Sequence, residues 1–392
     1  MKINTTLAQI GNRRDSTGAI SFPVYYSSTF SHPALGESTG FDYSRSGNPT
    51  RQVLEQAIAK LEGGIAGFAF SSGMAAITTL LAMFKSGDHL IVTEDLYGGT
   101  YRLLSDVFCN YGIEVSYVDT SNIECVLKVT RPCSKAILCE TPTNPLLRLA
   151  DIRSLSEFAR TRNLLCIVDN TFMTPISQRP LELGADIVIH SATKFIGGHN
   201  DVVAGLVAVK DAQLAEKIGY LQNAMGAVLG PQDCWLLIRS LKTLGLRIAA
   251  QETNAKVLAQ WLTTQPLVKK VYYPGLQDHP GHRVQKSQAE GFGGVISFEL
   301  INLELIPKVL RQIKIISFAE SLGGVESLIT YPWTQTHADL PIETRERLGV
   351  NDCLLRLSVG IEYVQDLIDD LAQALGEEED EWLEDTNDVI QE

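Results

Sequence analysis

The chain has 392 residues, 45% of them hydrophobic and 20% charged, which allows two or three domains and matches an ordinary globular protein. Its net charge of −13 gathers at the C-terminus, where residues 377–392 hold nine acidic side chains and no basic one, leaving 37 acidic against 33 basic residues elsewhere. A body that close to neutral gives nucleic acid no electrostatic footprint, and no apolar run approaches the roughly 18 residues of a membrane span.

Residues 1–48 are rich in Ser, Thr, Gly and Tyr with weak periodicity and read as an extended arm. Its opening, MKINTTLAQIGNRRDST, lacks the apolar stretch of a secretory signal. Beyond it, RQVLEQAIAKLEG predicts a helix that stops at Gly63 and Gly64, with glycine as the cap. AGFAF predicts a short buried strand, and GMAAITTLLAMFK the helix after it. DHLIVTE, GIEVSYVD, KAILCE, LLCIVDN, DIVIHS and GLVAVK predict further strands. Most are continuous apolar runs rather than alternations, as in strands covered on both faces. Residues 49–245 are therefore expected to form an α/β unit around a mainly parallel, doubly wound sheet.

From 246 to 376 a smaller α+β unit is expected. It opens on the helix RIAAQETNAKVLAQWLTT, passes through VKKVYYPG and GGVISFEL, and closes on VQDLIDDLAQAL. The acidic residues 377–392 predict disorder, since they repel one another and offer little to bury. Seven cysteines, odd in number and never spaced as CxxC, favour reduced thiols in a cytoplasmic protein over a zinc or disulfide framework.

Three strand ends carry residues suited to chemistry. In DIVIHSATKFIGGHND an apolar strand runs into Ser191, Thr193 and Lys194 and then glycines, and ligands of α/β sheets bind at such carboxyl ends. A lysine amine condenses with an aldehyde cofactor, and flanking hydroxyls hold a phosphate. On this segment alone, a loop lysine beside turn-forming Ser and Thr explains the pattern equally well. LLCIVDNTF places Asp169 after five apolar residues. There it either caps the next helix or meets a cation such as a protonated pyridine nitrogen. FAFSSGMAAITTLLAMF turns through Gly73 into a helix whose first N–H groups form an anion site. A dinucleotide fold would need GxGxxG and a serine hydrolase GxSxG, and neither is present.

FAFSSGMAA, EDLYGGTYRL, ETPTNPLL, IVDNTF, DIVIHSATKFIGGHND, ESLGGVESLITYP and LLRLSVGIE, with FDYSRSGNPTR before them, together resemble the cystathionine synthase/lyase family. These are the trans-sulfuration, Cys/Met-metabolism enzymes among fold-type I pyridoxal 5′-phosphate (PLP) enzymes. The matches keep the family's order over nearly the whole chain, from about residue 18 to 375. The resemblance implies PLP held by Lys194 as a Schiff base, with that amine then moving the substrate's Cα proton. It implies that Asp169 pairs with the pyridine nitrogen and that Tyr97 stacks on the ring and helps proton movement. The phosphate would rest on Gly73, Met74, Ser191 and Thr193, completed by Tyr43 and Arg45 of a neighbouring subunit, so the active unit would be at least a dimer and commonly a dimer of dimers. Asn144 would meet the ring hydroxyl or the substrate. Arg356 would bind the α-carboxylate: LLRLSV sets it among apolar neighbours, which suits a charge that needs a partner, with an edge-strand arginine facing water as the lesser reading. Ser321 would position the substrate or Lys194, and Glu320 would face the distal amino group of a cystathionine substrate. His190 and His199 receive no catalytic role.

The pattern resembles bacterial cystathionine γ-lyases and the lyases that also perform β-elimination. Cystathionine γ-synthase, which joins an acylated homoserine to cysteine, is the alternative. A methionine γ-lyase is disfavoured by Gly99, where those enzymes tend to carry cysteine, and a non-catalytic PLP-binding protein by the intact Lys194, Asp169, Tyr97 and Arg356. Pro332-Trp333-Thr334-Gln335-Thr336-His337-Ala338 departs from the family's usual PAxMTHA.

Overall fold

A computed structural model describes residues 1–12, 15–338 and 340–376, so the acidic segment expected to be disordered lies outside the described residues. The helix foreseen at RQVLEQAIAKLEG spans Pro49–Glu62. Asn48 starts it, its side chain accepting from Thr50 N at 2.9 Å and Arg51 N at 3.3 Å, and Pro49 occupies the first turn, where no N–H is missed. Gly63, at φ 74°, ends it in the left-handed region that glycine enters without steric cost.

Every apolar run named in this half becomes a strand. They are β1 (Ala66–Phe70), β2 (His89–Thr93), β3 (Glu114–Val118), β4 (Ser134–Glu140), β5 (Leu165–Asp169), β6 (Ile187–Ser191) and β7 (Gly205–Val209). Their order across the sheet is β1-β7-β6-β5-β4-β2-β3. β7 runs antiparallel to both its neighbours, and the remaining pairs are parallel. Helices Pro49–Glu62 and Gly73–Leu81 pack on β1, β6 and β7; β2 and β7 are buried throughout, whereas the edge strand β3 is only partly covered.

Helix Leu244–Leu262 leads to a second sheet. It is formed by β8 (Val268–Tyr272), β9 (Val295–Leu300), β10 (Ser317–Phe318), β11 (Leu328–Thr330) and β12 (Leu354–Ser358), in the order β10-β11-β12-β9-β8. Ile296, Phe298, Leu355 and Leu357 of this sheet pack against Leu258, Leu262 and Leu371 from the helices. β12 lies between β11 and β9, so Arg356 is not on an edge strand, and it is only 1% exposed.

The parallel strands decide where the site lies. β4, β5 and β6 end on Glu140, Asp169 and Ser191, and the β4–β5 register puts Glu140 directly beside Asp169. Among the described residues no helix is long and apolar enough to cross a membrane, and no cluster of His, Cys, Asp and Glu could hold a metal ion.

Candidate active site

Eleven of the thirteen residues singled out from the sequence line one cavity of about 240 Å³ at these strand ends. Lys194 follows β6, and its Nζ donates to Ser321 Oγ at 2.7 Å. Burial, reinforced by the positive charge of Arg356 and opposed by Glu320, holds the Lys194 amine down at about 8. Ser321 stands at φ 88°, an unusual backbone for a residue with a side chain. That bend lets its hydroxyl meet Lys194 while its carbonyl accepts from Arg356 Nη2 at 2.7 Å. Gly323 follows at φ 82°, and a Cβ there would stand 2.4 Å from Phe195 N, so only glycine lets this loop lie against the lysine segment.

Arg356 donates Nη1 to Asn144 Oδ1 at 2.8 Å and Nη2 also to Thr330 Oγ1 at 3.0 Å. Its Nε has no protein partner. Burial brings this guanidinium down to about 10, while Glu140 and Glu320 pull the other way. A buried cationic fork with a donor to spare is suited to a carboxylate.

Asp169 accepts from Thr171 N at 3.0 Å and from the Thr171 hydroxyl, both on Oδ1, which leaves Oδ2 for a ligand in the cavity. Burial raises its carboxyl, against the hydrogen bonds of Thr171 and the charge of His190. Glu140, the neighbouring acid, is pushed well above the usual carboxylate range by burial and by Asp169. Ser72 caps helix Gly73–Leu81 by accepting from Ala75 N at 2.9 Å. The first N–H groups of that helix, at Gly73 and Met74, have no intrahelical partner. A Cβ on Gly73 would stand 3.0 Å from Ser191 Cβ, so glycine keeps open the gap between these amides and the Ser191 hydroxyl. Thr193 Oγ1 accepts from Ala204 N at 3.0 Å. Glu320 is exposed at the mouth.

The donor set fits PLP: an amine at Lys194, a carboxylate oxygen at Asp169, a helix N-terminus with a hydroxyl for phosphate, and an aromatic wall at Tyr97. Tyr43 and Arg45 do not line this cavity. Arg45 Nε donates to Asn223 Oδ1 at 3.2 Å, its guanidinium lies 5.5 Å from the Tyr43 ring centre, and Tyr43 is 48% exposed.

A family model described as Cys/Met metabolism PLP-dependent enzyme matches residues 4–376. The chain belongs to this family of PLP-dependent enzymes. Its cofactor is PLP, and its architecture is that of fold-type I. It is 51% identical over 376 residues to the cystathionine gamma-lyase of Bacillus subtilis (strain 168), covering 96% of this chain and 99% of that one. It is 54% identical over 374 residues to the cystathionine gamma-synthase/O-acetylhomoserine (thiol)-lyase of the same organism, covering 95% and 96%. A solved cystathionine gamma-lyase from Lactobacillus plantarum, complexed with L-serine, superposes with a TM-score of 0.93 at 47% identity, covering 95% of this chain and 98% of that one.

Sequence reasoning passed over several residues of this cavity and its surroundings. Glu140 lines the cavity floor, and KAILCE ends on an acid much as LLCIVD does, a signal that was there to use. Thr171 holds both Asp169 and Ser191 N. His337 is buried, with Nε2 donating to the Asn144 carbonyl at 3.0 Å and Nδ1 accepting from the Thr336 hydroxyl at 2.9 Å. Burial and Arg356 hold its imidazole down at about 4, so it is neutral. His190 pairs with Glu62 at 2.6 Å behind the site, both fully buried, and His199 bonds the Gly197 carbonyl at 2.8 Å within the glycine turn.

Proposed function

We propose that this protein is a carbon–sulfur lyase of trans-sulfuration that cleaves L-cystathionine by γ-elimination to cysteine, 2-oxobutyrate and ammonia. β-Elimination to homocysteine, pyruvate and ammonia is a second route at the same site. The observation that carries this reading is the meeting of Lys194 and Arg356 on Ser321, each at 2.7 Å. A substrate α-carboxylate on Arg356 thereby sets the α-carbon next to the lysine amine. When bound, PLP supplies an aldehyde for amino groups and a ring that withdraws electron density from the substrate's α-carbon.

Lys194 takes the Cα proton and returns it further along the substrate, a role suited to an amine held near neutrality. Asp169 holds the positive ring nitrogen, Tyr97 covers the ring face, and Gly73, Met74, Ser191 and Thr193 hold the phosphate. Asn144 orients Arg356, and Glu320 receives the distal ammonium of cystathionine at the mouth. A Cβ on Gly99 would stand 2.5 Å from the Tyr97 ring, which supports reading the site without the cysteine of methionine γ-lyases. Tyr43 and Arg45 of the partner subunit complete the phosphate site, and two such dimers pair. Seven free cysteines are in keeping with a cytoplasmic enzyme. The residue ranges 49–245 and 246–376 serve as its two domains, with 1–48 as the arm.

γ-Replacement, joining an acylated homoserine to cysteine, is a second reading supported by the 54% identity to a protein named for that reaction. Incubation of the PLP-loaded protein with L-cystathionine separates the readings. Cysteine with 2-oxobutyrate supports γ-elimination, and homocysteine with pyruvate supports the β route. No keto acid, with cystathionine formed instead from acylated homoserine and cysteine, would refute the lyase.

A further inference from the structure

Glu140 ends β4 on the cavity floor, in register with Asp169 on β5. Burying one acid against another is costly, and a glutamine would fill nearly the same volume without charge. What an amide cannot do is accept at both ends, because its nitrogen only donates. Glu140 accepts at both. Its Oε2 takes the Tyr97 N–H and its Oε1 the Asn144 N–H, each at 2.9 Å. The two donors sit on different loops, one leaving β2 and the other leaving β4. Tyr97 begins helix Gly98–Arg102 with no side-chain cap of its own, so its ring direction follows from where its main chain is held. Asn144 passes the constraint on, since its Oδ1 accepts from Arg356 and its carbonyl from His337.

We infer that Glu140 is a positioning residue whose carboxylate pins the backbones of Tyr97 and Asn144 together, so that the aromatic wall and the Arg356 fork are set as one unit. The inference rests on the PLP-lyase reading of the site. It accounts for an acid at a position where burial and Asp169 oppose charge: the N–H groups of Tyr97 and Asn144 act against that and favour the ionised form, and a carboxylate is the side chain that offers two acceptor oxygens without a competing donor.

The test uses the full-length, PLP-saturated protein and four readouts: visible circular dichroism of the bound cofactor, kcat, KM for L-cystathionine, and melting temperature. Glu140→Gln keeps one acceptor and turns N–H donors toward the other loop. Its cofactor dichroism falls, and kcat/KM drops about 10- to 100-fold through one broken buried hydrogen bond, with kcat down and KM up together. Placed on Asn144→Ala, the same change raises KM less than it does alone, because the side-chain path to Arg356 is already cut. Glu140→Asp keeps the charge but, one methylene shorter, reaches a single N–H. It shifts kcat, KM and dichroism in the same directions and serves where the glutamine variant fails to fold. A lower melting temperature with unchanged kcat, KM and dichroism overturns the inference. So does wild-type behaviour of Glu140→Asp, or fully additive KM effects. A wild-type protein that binds PLP yet cleaves no cystathionine refutes the proposed reaction instead, and the dichroism still decides the role of Glu140.

Discussion

Replacing Arg356 with lysine keeps the charge and removes the fork. The guanidinium makes three hydrogen bonds, at 2.8 Å to Asn144, 2.7 Å to the Ser321 carbonyl and 3.0 Å to Thr330, and keeps Nε in reserve. A lysine ammonium is a single point on a flexible stem and cannot hold Asn144 and Ser321 while also meeting a carboxylate. Glu140 and Glu320 retain a cation nearby, so the fold and the cofactor content should survive. A hydrogen bond to a charged group contributes about 1.5–3 kcal/mol, and losing one to the α-carboxylate raises KM roughly 10- to 150-fold. Steady-state kinetics of PLP-saturated Arg356→Lys on L-cystathionine measure this, with the visible spectrum reporting bound cofactor. A KM equal to wild type, with the loss falling on kcat alone, would refute the assignment of Arg356 to the carboxylate.

Three further outcomes are expected. Borohydride reduction of the PLP-loaded wild type should fix the cofactor on the peptide containing Lys194, as read by mass spectrometry, and Lys194→Ala should gain no such label. Only a neutral amine attacks the aldehyde, and burial holds Lys194 down at about 8, so PLP capture by cofactor-free protein should quicken as pH rises toward 8 and then level off. Stopped-flow rates that keep climbing to the range of a free lysine would contradict that. Gly323→Ala places a methyl 2.4 Å from Phe195 N in a left-handed backbone, which costs at least about 1–2 kcal/mol. Thermal unfolding should show a lowered midpoint, and an unchanged one would mean the loop relaxes freely.

The strands of the large sheet were legible because a strand buried on both faces has to be an apolar run, and a run that ends on Asp or Ser-Ala-Thr-Lys marks where the sheet meets a ligand. The glycine stop after Glu62 was legible because its cause is local. Glu140 was as visible in KAILCE as Asp169 in LLCIVD, but its partners were not, because an acid at a strand end carries no mark of what it accepts from. Its donors, the N–H groups of Tyr97 and Asn144, lie in two separate loops.

Arg356 shows the same division. Read in sequence, an arginine among the apolar neighbours of LLRLSV suggests a charge with a partner but names no partner, and an edge strand facing water stays open. It is buried because β12 lies between β11 and β9, and because Asn144, 212 residues away, meets its guanidinium. The apolar runs, their turns and the residue types at their ends are local properties of the chain, since they follow from backbone sterics and hydrophobic periodicity within a few residues. Strand order, register and the convergence of Lys194, Ser321 and Arg356 were decided only in the tertiary structure. They depend on which distant surfaces bury one another, and no local pattern of residues encodes that pairing.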